Sequence, residues 1–192
     1  MKTPIDVLIF MPVGPDSAFP DDGITALMFD MPGEEHLVHC GDVIIYRATM
    51  DGEHKIGSDS SRKWIAALAG DTLILQRTAP GEGEGTHPDG GCTVEMYANT
   101  DLGYVEIESL SIEKTPEPGD YFDNTLTLSL HRLESVPEDV CELADLVREL
   151  VGEPTQLERQ PAVDTEPDVS EEAIAPSPRL AQRVPPALLA EQ

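Results

Sequence analysis

Lysine is nearly missing from this sequence: Lys2, Lys55, Lys63 and Lys114 are the whole supply. Lysine and arginine together number 12 against 37 aspartates and glutamates, a formal net charge of -25. A surface so poor in cations repels phosphate backbones and anionic lipid, which argues against nucleic-acid or membrane-surface partners. High acid with little lysine suits a protein kept soluble at high salt, where screening relieves the self-repulsion. Cysteine is also scarce. Cys40, Cys92 and Cys141 are odd in number and show no CxxC spacing, so neither a disulfide framework nor a zinc clip is expected. Three free thiols in a reducing cytosol are the simplest expectation. Long apolar runs are missing too, and nothing approaches the roughly 18–20 residues that span a bilayer. The run Val7 to Met11 is too short for a signal peptide, follows Asp6 and lacks a small-residue cleavage site. A cytoplasmic protein is the expectation.

What is present is strand signal. Ile5–Met11, Ile24–Phe29, Val43–Thr49, Trp64–Leu68, Thr72–Arg77, Cys92–Ala98, Tyr104–Leu110 and Leu126–Leu130 are short, rich in β-branched or aromatic residues, and often alternate. Turn clusters such as Ala69-Gly70-Asp71 separate them, without helical periods between. The pattern predicts an all-β, antiparallel β-sandwich over residues 1–134. The stretch 79–91, with five glycines, reads as a long flexible loop. Ser135 and Pro137, with Glu138 and Asp139 behind them, predict a helix ending at Gly152 whose Val140, Leu143, Val147 and Leu150 pack on the sandwich, giving a 135–152 element. Residues 153–192 hold seven prolines and no aromatic, so a disordered acidic tail is expected there. Its last apolar stretch, Val184 to Ala190, has the composition of a docking peptide as well as of an unstructured end.

One hairpin carries chemistry. With Cys92–Ala98 and Tyr104–Leu110 as its arms, Val94, Met96, Val105 and Ile107 point one way. Glu95, Tyr97, Tyr104, Glu106 and Glu108 point the other, a crowding of carboxylates that a sheet does not need in order to fold. The plain reading is a solvated face on an acidic protein. The sharper one is a cleft in which carboxylates accept sugar hydroxyl hydrogens and aromatic rings, with Trp64 among them, offer apolar faces.

The segments Lys55-Ile56-Gly57, Trp64-Ile65, Pro88 to Asn99, Val105 to Ser111 and Pro118-Gly119 resemble, in order and spacing, the later part of a bacterial and archaeal domain family of unknown function. That family is related to the aldose 1-epimerases, the galactose-mutarotase-like proteins. The resemblance runs from about Lys55 to Arg132. It implies a β-supersandwich, here shortened, with a sugar-binding concave face. In the epimerases a late-strand glutamate takes the proton of the anomeric hydroxyl and a histidine protonates the ring oxygen. By likeness of strand context Glu108 stands at the base position, with Glu106 second. Glu95, Tyr97, Tyr104, Trp64, His87 and Lys55 are the substrate contacts this implies. None of His36, His39, His54, His87 or His131 falls on a family histidine, so the acid stays unassigned. Two expectations follow: an aldose-epimerase-like isomerase, or a non-catalytic carbohydrate-binding or interaction module. Half a supersandwich leaves open sheet edges, which dimerisation would cover.

Other chemistries find less support. His36 and His39, with Glu34, Glu35 and Cys40, supply metal-ligand types, but on a strand the two histidines face opposite sides. Serine-nucleophile, phosphate-loop and dinucleotide motifs are missing, so no cofactor is expected.

Overall fold

A computed structural model describes residues 6–20, 22–48, 52–79 and 85–152 of the chain. Ten strands and one helix follow each other as β1 (Val7–Pro12), β2 (Ile24–Ala26), β3 (Leu37–Cys40), β4 (Val43–Ala48), β5 (Glu53–Ser58), β6 (Trp64–Ala69), β7 (Thr72–Thr78), β8 (Val94–Asn99), β9 (Tyr104–Ser109), β10 (Leu126–Arg132) and α1 (Val140–Gly152). The strands form a six-stranded sheet in the order β10-β7-β6-β1-β4-β3 and a four-stranded sheet in the order β2-β5-β8-β9. Every pairing is antiparallel. The expected sandwich is therefore what forms.

Alternation along the strands divides the core in two. Ile9, Met11, Ile44, Tyr46, Ile65 and Ala67 of the larger sheet meet Ile56, Val94, Met96 and Ala98 of the smaller one. On the reverse side Phe10, Val43, Ile45, Trp64, Leu73 and Leu75 meet Leu143, Ala144 and Val147 of the helix. The six-stranded sheet is thus apolar on both faces and lies between the smaller sheet and α1. Each large apolar side chain so buried contributes about 1.5–3 kcal/mol. Two hairpins close with two-residue Gly-Asp turns: Ala69 pairs Thr72 around Gly70-Asp71, and Cys40 pairs Val43 around Gly41-Asp42. The first glycine of each has a positive φ, 61° and 66°, which side chains with a Cβ adopt at a cost.

Several expectations are corrected. The sequence segment 24–29 is extended only over Ile24–Ala26, and the carboxylate hairpin begins at Val94 rather than Cys92. Strands β3 and β5 carry too few β-branched residues to stand out (Leu-Val-His-Cys and Glu-His-Lys-Ile-Gly-Ser). The helix starts at Val140, where the Asp139 carboxylate accepts the Cys141 N–H at 2.7 Å, so Asp139 is the cap and not Ser135 or Pro137. Cys40 and Cys141 are not free thiols; they form a disulfide that ties α1 to β3, with Cα atoms 5.3 Å apart. Only Cys92 is a free cysteine, and it is buried. The free-thiol argument for a reducing compartment therefore falls. No described helix is long and apolar enough to cross a membrane. The tail 153–192, the glycine-rich stretch at 80–84 and the ends Ile5 and Thr49 of two expected strands lie outside the described residues.

Candidate functional site

The outer face of the four-stranded sheet is set by register. Across β5 and β8, Glu53 pairs Asn99, Lys55 pairs Tyr97 and Gly57 pairs Glu95. Across β8 and β9, Glu95 pairs Glu108, Tyr97 pairs Glu106 and Asn99 pairs Tyr104. Directly opposed residues share a face, so these positions form one surface, opposite the core-facing Ile56, Met96 and Ile107.

One end of that surface is a charge cluster. Lys55 Nζ lies 2.9 Å from Glu95 Oε2 and 3.3 Å from Glu108 Oε1, bridging two strands. Glu95 is not a solvated carboxylate: its side chain is 1% exposed, against 30% for Glu108. Burial raises the Glu95 pKa, Lys55 opposes that rise, and the neighbouring Asp89 carboxylate adds to it. Burial works to lower the Lys55 pKa, but the hydrogen bond and charge of Glu95, joined by the charge of Glu108, carry it above the usual lysine value. Beneath the cluster sits Cys92, whose Sγ donates to the Asp89 carbonyl at 3.3 Å. Burial, reinforced by the Glu95 charge, pushes this thiol up to about 12, so it is an inert packing group. Gly57 makes room for both: a Cβ there would overlap Cys92 Sγ and come within 3.1 Å of Glu95 Cγ.

The other end is polar and aromatic. The Tyr97 hydroxyl donates to the Glu53 carboxylate, and Asn99 Nδ2 donates to Glu53 Oε1 and to Tyr97 Oη, both at 3.1 Å. Accepting that proton, Glu53 pushes the Tyr97 pKa up to about 12. Asn99 also fixes the hairpin turn, since its Oδ1 accepts the Leu102 N–H at 2.9 Å. The rings of Tyr104 and Phe29 flank Tyr97 at centroid distances of 5.7 and 6.3 Å. Beside them lies a shallow, open depression lined by Leu27, Met28, Phe29, Asp30, Gly52, Glu53 and His54. The His54 ring belongs to the inner side, where Nδ1 shares a 2.9 Å hydrogen bond with Tyr46 Oη and the ring stands edge-on to His36.

Of the residues singled out from sequence, Glu95, Tyr97, Tyr104, Glu106, Glu108 and Lys55 share this face. Trp64 does not. It is 2% exposed in the layer beneath α1, on the far side of the larger sheet, and offers no ring to a ligand. His87 is half-buried in the segment leading into Cys92 and Glu95. Glu53, Asn99 and Phe29 were not legible as site residues, because strand β5 was not recognised and Asn99 read as part of the turn. The ligand types around His36 and His39 are dispersed: His36 stacks on Tyr46, His39 lies 3.8 Å from Asp22, and Cys40 is in the disulfide. Among the described residues no group of three or more His, Cys, Asp or Glu is placed to hold a metal ion.

The fold is an antiparallel β-sandwich backed by one helix, with a carboxylate and tyrosine surface on its smaller sheet. Comparison with protein-family models, curated proteins and solved structures finds no match to the chain.

Proposed function

We propose that the outer face of the four-stranded sheet binds a small carbohydrate, and that the chain acts as a carbohydrate-binding module. The observation that carries the reading is the Glu53–Tyr97–Asn99 hydrogen-bonded group beside the rings of Tyr104 and Phe29. Sugars present hydroxyl donors on their edges and C–H groups on their faces. Carboxylate acceptors next to tyrosine rings suit both at once. Glu106 stands opposite Tyr97 and extends the row of acceptors. A negative face also selects for neutral polyols over phosphorylated or acidic sugars.

The second reading, interconversion of anomers, draws on Glu108. It stands at the rim of the cluster, partly exposed, with its carboxylate oriented by Lys55. A base there would act on a ligand lying across Tyr97 and Tyr104. Ring opening also needs a proton donor, and no residue is assigned to that role, so binding without turnover is the better-supported reading.

A panel of neutral sugars, glucose and galactose among them, tests both. Binding predicts a sugar-dependent rise in Tm that is lost in Tyr97→Ala. Accelerated mutarotation in polarimetry or NMR, abolished by Glu108→Gln with binding retained, would establish the isomerase instead. The absence of both a Tm shift and turnover across the whole panel would remove carbohydrate from consideration.

A further inference from the structure

The larger sheet ends in an unusual strand. β10 pairs with β7 on one side, and among the described residues no strand pairs with its other side. Leu126, Leu128 and Leu130 are 43%, 62% and 71% exposed, and Ile74, which pairs Leu130, is 39% exposed. Three leucines in alternation on an open edge are the arrangement that soluble proteins usually avoid with lysine, proline or a bulge. β10, Leu-Thr-Leu-Ser-Leu-His-Arg, has none of these.

The backbone of β10 is also poised for pairing. Ala79 N–H donates to the Thr125 carbonyl at 2.9 Å and Leu133 N–H to the Asp71 carbonyl at 2.8 Å, so odd-numbered residues face β7. The N–H and C=O groups of Leu126, Leu128, Leu130 and Arg132 consequently point to the open edge.

We propose that a second copy of this chain covers that edge, the two β10 strands running antiparallel about a two-fold axis at Ser129. In that register Leu128 meets the second copy's Leu130, and Leu126 meets its Arg132. All four are even-numbered, so the outward backbone groups of the two strands meet as hydrogen-bonded pairs. The result is one continuous twelve-stranded sheet, since each copy supplies six strands.

Two features select a second copy as the occupant. Electrostatics is the first. On a chain of net charge -25, β10 contains no acidic residue, so the strand-to-strand seam brings no carboxylates together. Area is the second. The three leucines and Ile74 leave on the order of 400 Å² of side chain exposed per copy, within the size of the largest patch a monomer carries. Edge pairing covers the two backbone edges and the facing flanks of the leucines, less than the roughly 1,200 Å² at the lower end of stable interfaces, so the association is weak. A concentration-dependent dimer, strengthened by salt that screens the remaining negative charge, is the form this predicts.

The proposal does not depend on sugar binding. Sedimentation equilibrium of the full chain from low to high micromolar, in dilute buffer and in molar KCl, should show a monomer–dimer equilibrium that shifts to dimer with salt. Leu128→Glu should return the protein to monomer over the same range. The site is exposed, so circular dichroism should match the parent, and Tm should match it at concentrations where the parent is monomeric. With a mild added oxidant that takes the two thiol electrons, Ser129→Cys should cross-link two copies through a bond that reductant cleaves, because non-hydrogen-bonded partners across a two-fold place their Cα atoms about 4.5 Å apart. A chain that stays monomeric under every condition would overturn the proposal. So would a dimer that survives Leu128→Glu and forms no cross-link in the Ser129→Cys variant.

Discussion

Lys55 reaches across from β5 to meet Glu95 on β8, its Nζ 2.9 Å from a carboxylate that is almost wholly buried. A lone buried carboxylate would cost several kcal/mol, and the ammonium beside it offsets much of that. Removing one partner is therefore worse than removing the charge it answers. Lys55→Met should lower stability by about 3 kcal/mol at neutral pH, whereas Glu95→Gln should change it by about 1 kcal/mol or less. The Lys55→Met defect should depend on pH. Without Lys55 the folded-state pKa of Glu95 rises further above its unfolded value of about 4.3, so the folded state binds the proton more tightly. The defect relative to the parent then opens above the parent's own folded Glu95 pKa, which burial already raises, grows until the variant's folded pKa is passed, and is smallest in acid. Urea unfolding of the two variants across that range checks it, and a Lys55→Met defect independent of pH would contradict the pairing.

Gly57 and Cys92 form the second coupled pair. Gly57→Ala pushes a methyl into Cys92 Sγ and against Glu95 Cγ, in a sheet interior with little room to move. Overpacking of this kind costs about 1–3 kcal/mol. Adding Cys92→Ala vacates the sulfur position, so the double variant should recover much of the loss and show a non-additive cycle. Additive losses in denaturant titrations would mean that the two side chains do not meet.

Much of the fold was legible because alternation and turn chemistry agree. Ala69-Gly70-Asp71 announced its hairpin, and eight of the strands were marked by β-branched or aromatic residues on one or both faces. β5 escaped because Glu53, His54 and Lys55 look like loop, and their strand character comes from pairing with β8 and from Ile56 reaching the core. That omission hid Glu53, and with it the partner of Tyr97. Alternation placed Glu95 on the outer face but could not reveal its burial, which Lys55, Asp89 and the 85–92 segment impose from other parts of the chain. Trp64 misled for the converse reason. A lone tryptophan has no periodicity of its own to say that both faces of the larger sheet are covered, one of them by α1. The disulfide was hidden by a separation of 101 residues and an odd cysteine count.

That disulfide closes a loop long enough to restrict the unfolded chain strongly. For loops of about 100 residues the chain-entropy model gives about 4.7 kcal/mol, and about 2–4 kcal/mol is the common range. Reduction, or Cys141→Ser, should lower stability by about 2–4 kcal/mol without unfolding the sandwich, because Leu143, Ala144 and Val147 and the Arg148–Asp42 pair still hold the helix. Thiol titration of the denatured, unreduced protein should find one reactive cysteine, Cys92, and three after reduction. Three thiols before reduction would remove the bridge.

The acidic surplus predicts a response to salt opposite to that of a protein held by exposed ion pairs. With a net charge of -25, screening relieves more repulsion than it costs in attraction. The urea midpoint should rise with KCl, steeply at low ionic strength and more slowly once the Debye length falls below about 8 Å near 0.15 M. A midpoint unchanged from dilute buffer to molar KCl would show that the acidic surface is evenly spaced and carries no such penalty.

Tyrosine titration reaches the candidate site directly. Two of the four tyrosines should ionise late, near pH 12: Tyr46 because it is buried, and Tyr97 because the Glu53 carboxylate accepts its proton and repels the phenolate. Absorbance at the phenolate band should therefore show two late-titrating groups in the parent. Glu53→Gln keeps an acceptor but removes the charge, so it should return one of the two to an earlier pH while leaving Tyr46 unmoved. If sugar occupies this face, saturating ligand should alter the Tyr97 step and leave that of Tyr46 unmoved, and Tyr97→Phe should weaken binding severalfold by removing the hydroxyl but keeping the ring. A titration in which Glu53→Gln moves neither tyrosine would separate Glu53 from Tyr97 and dismantle the acceptor group on which the carbohydrate reading stands.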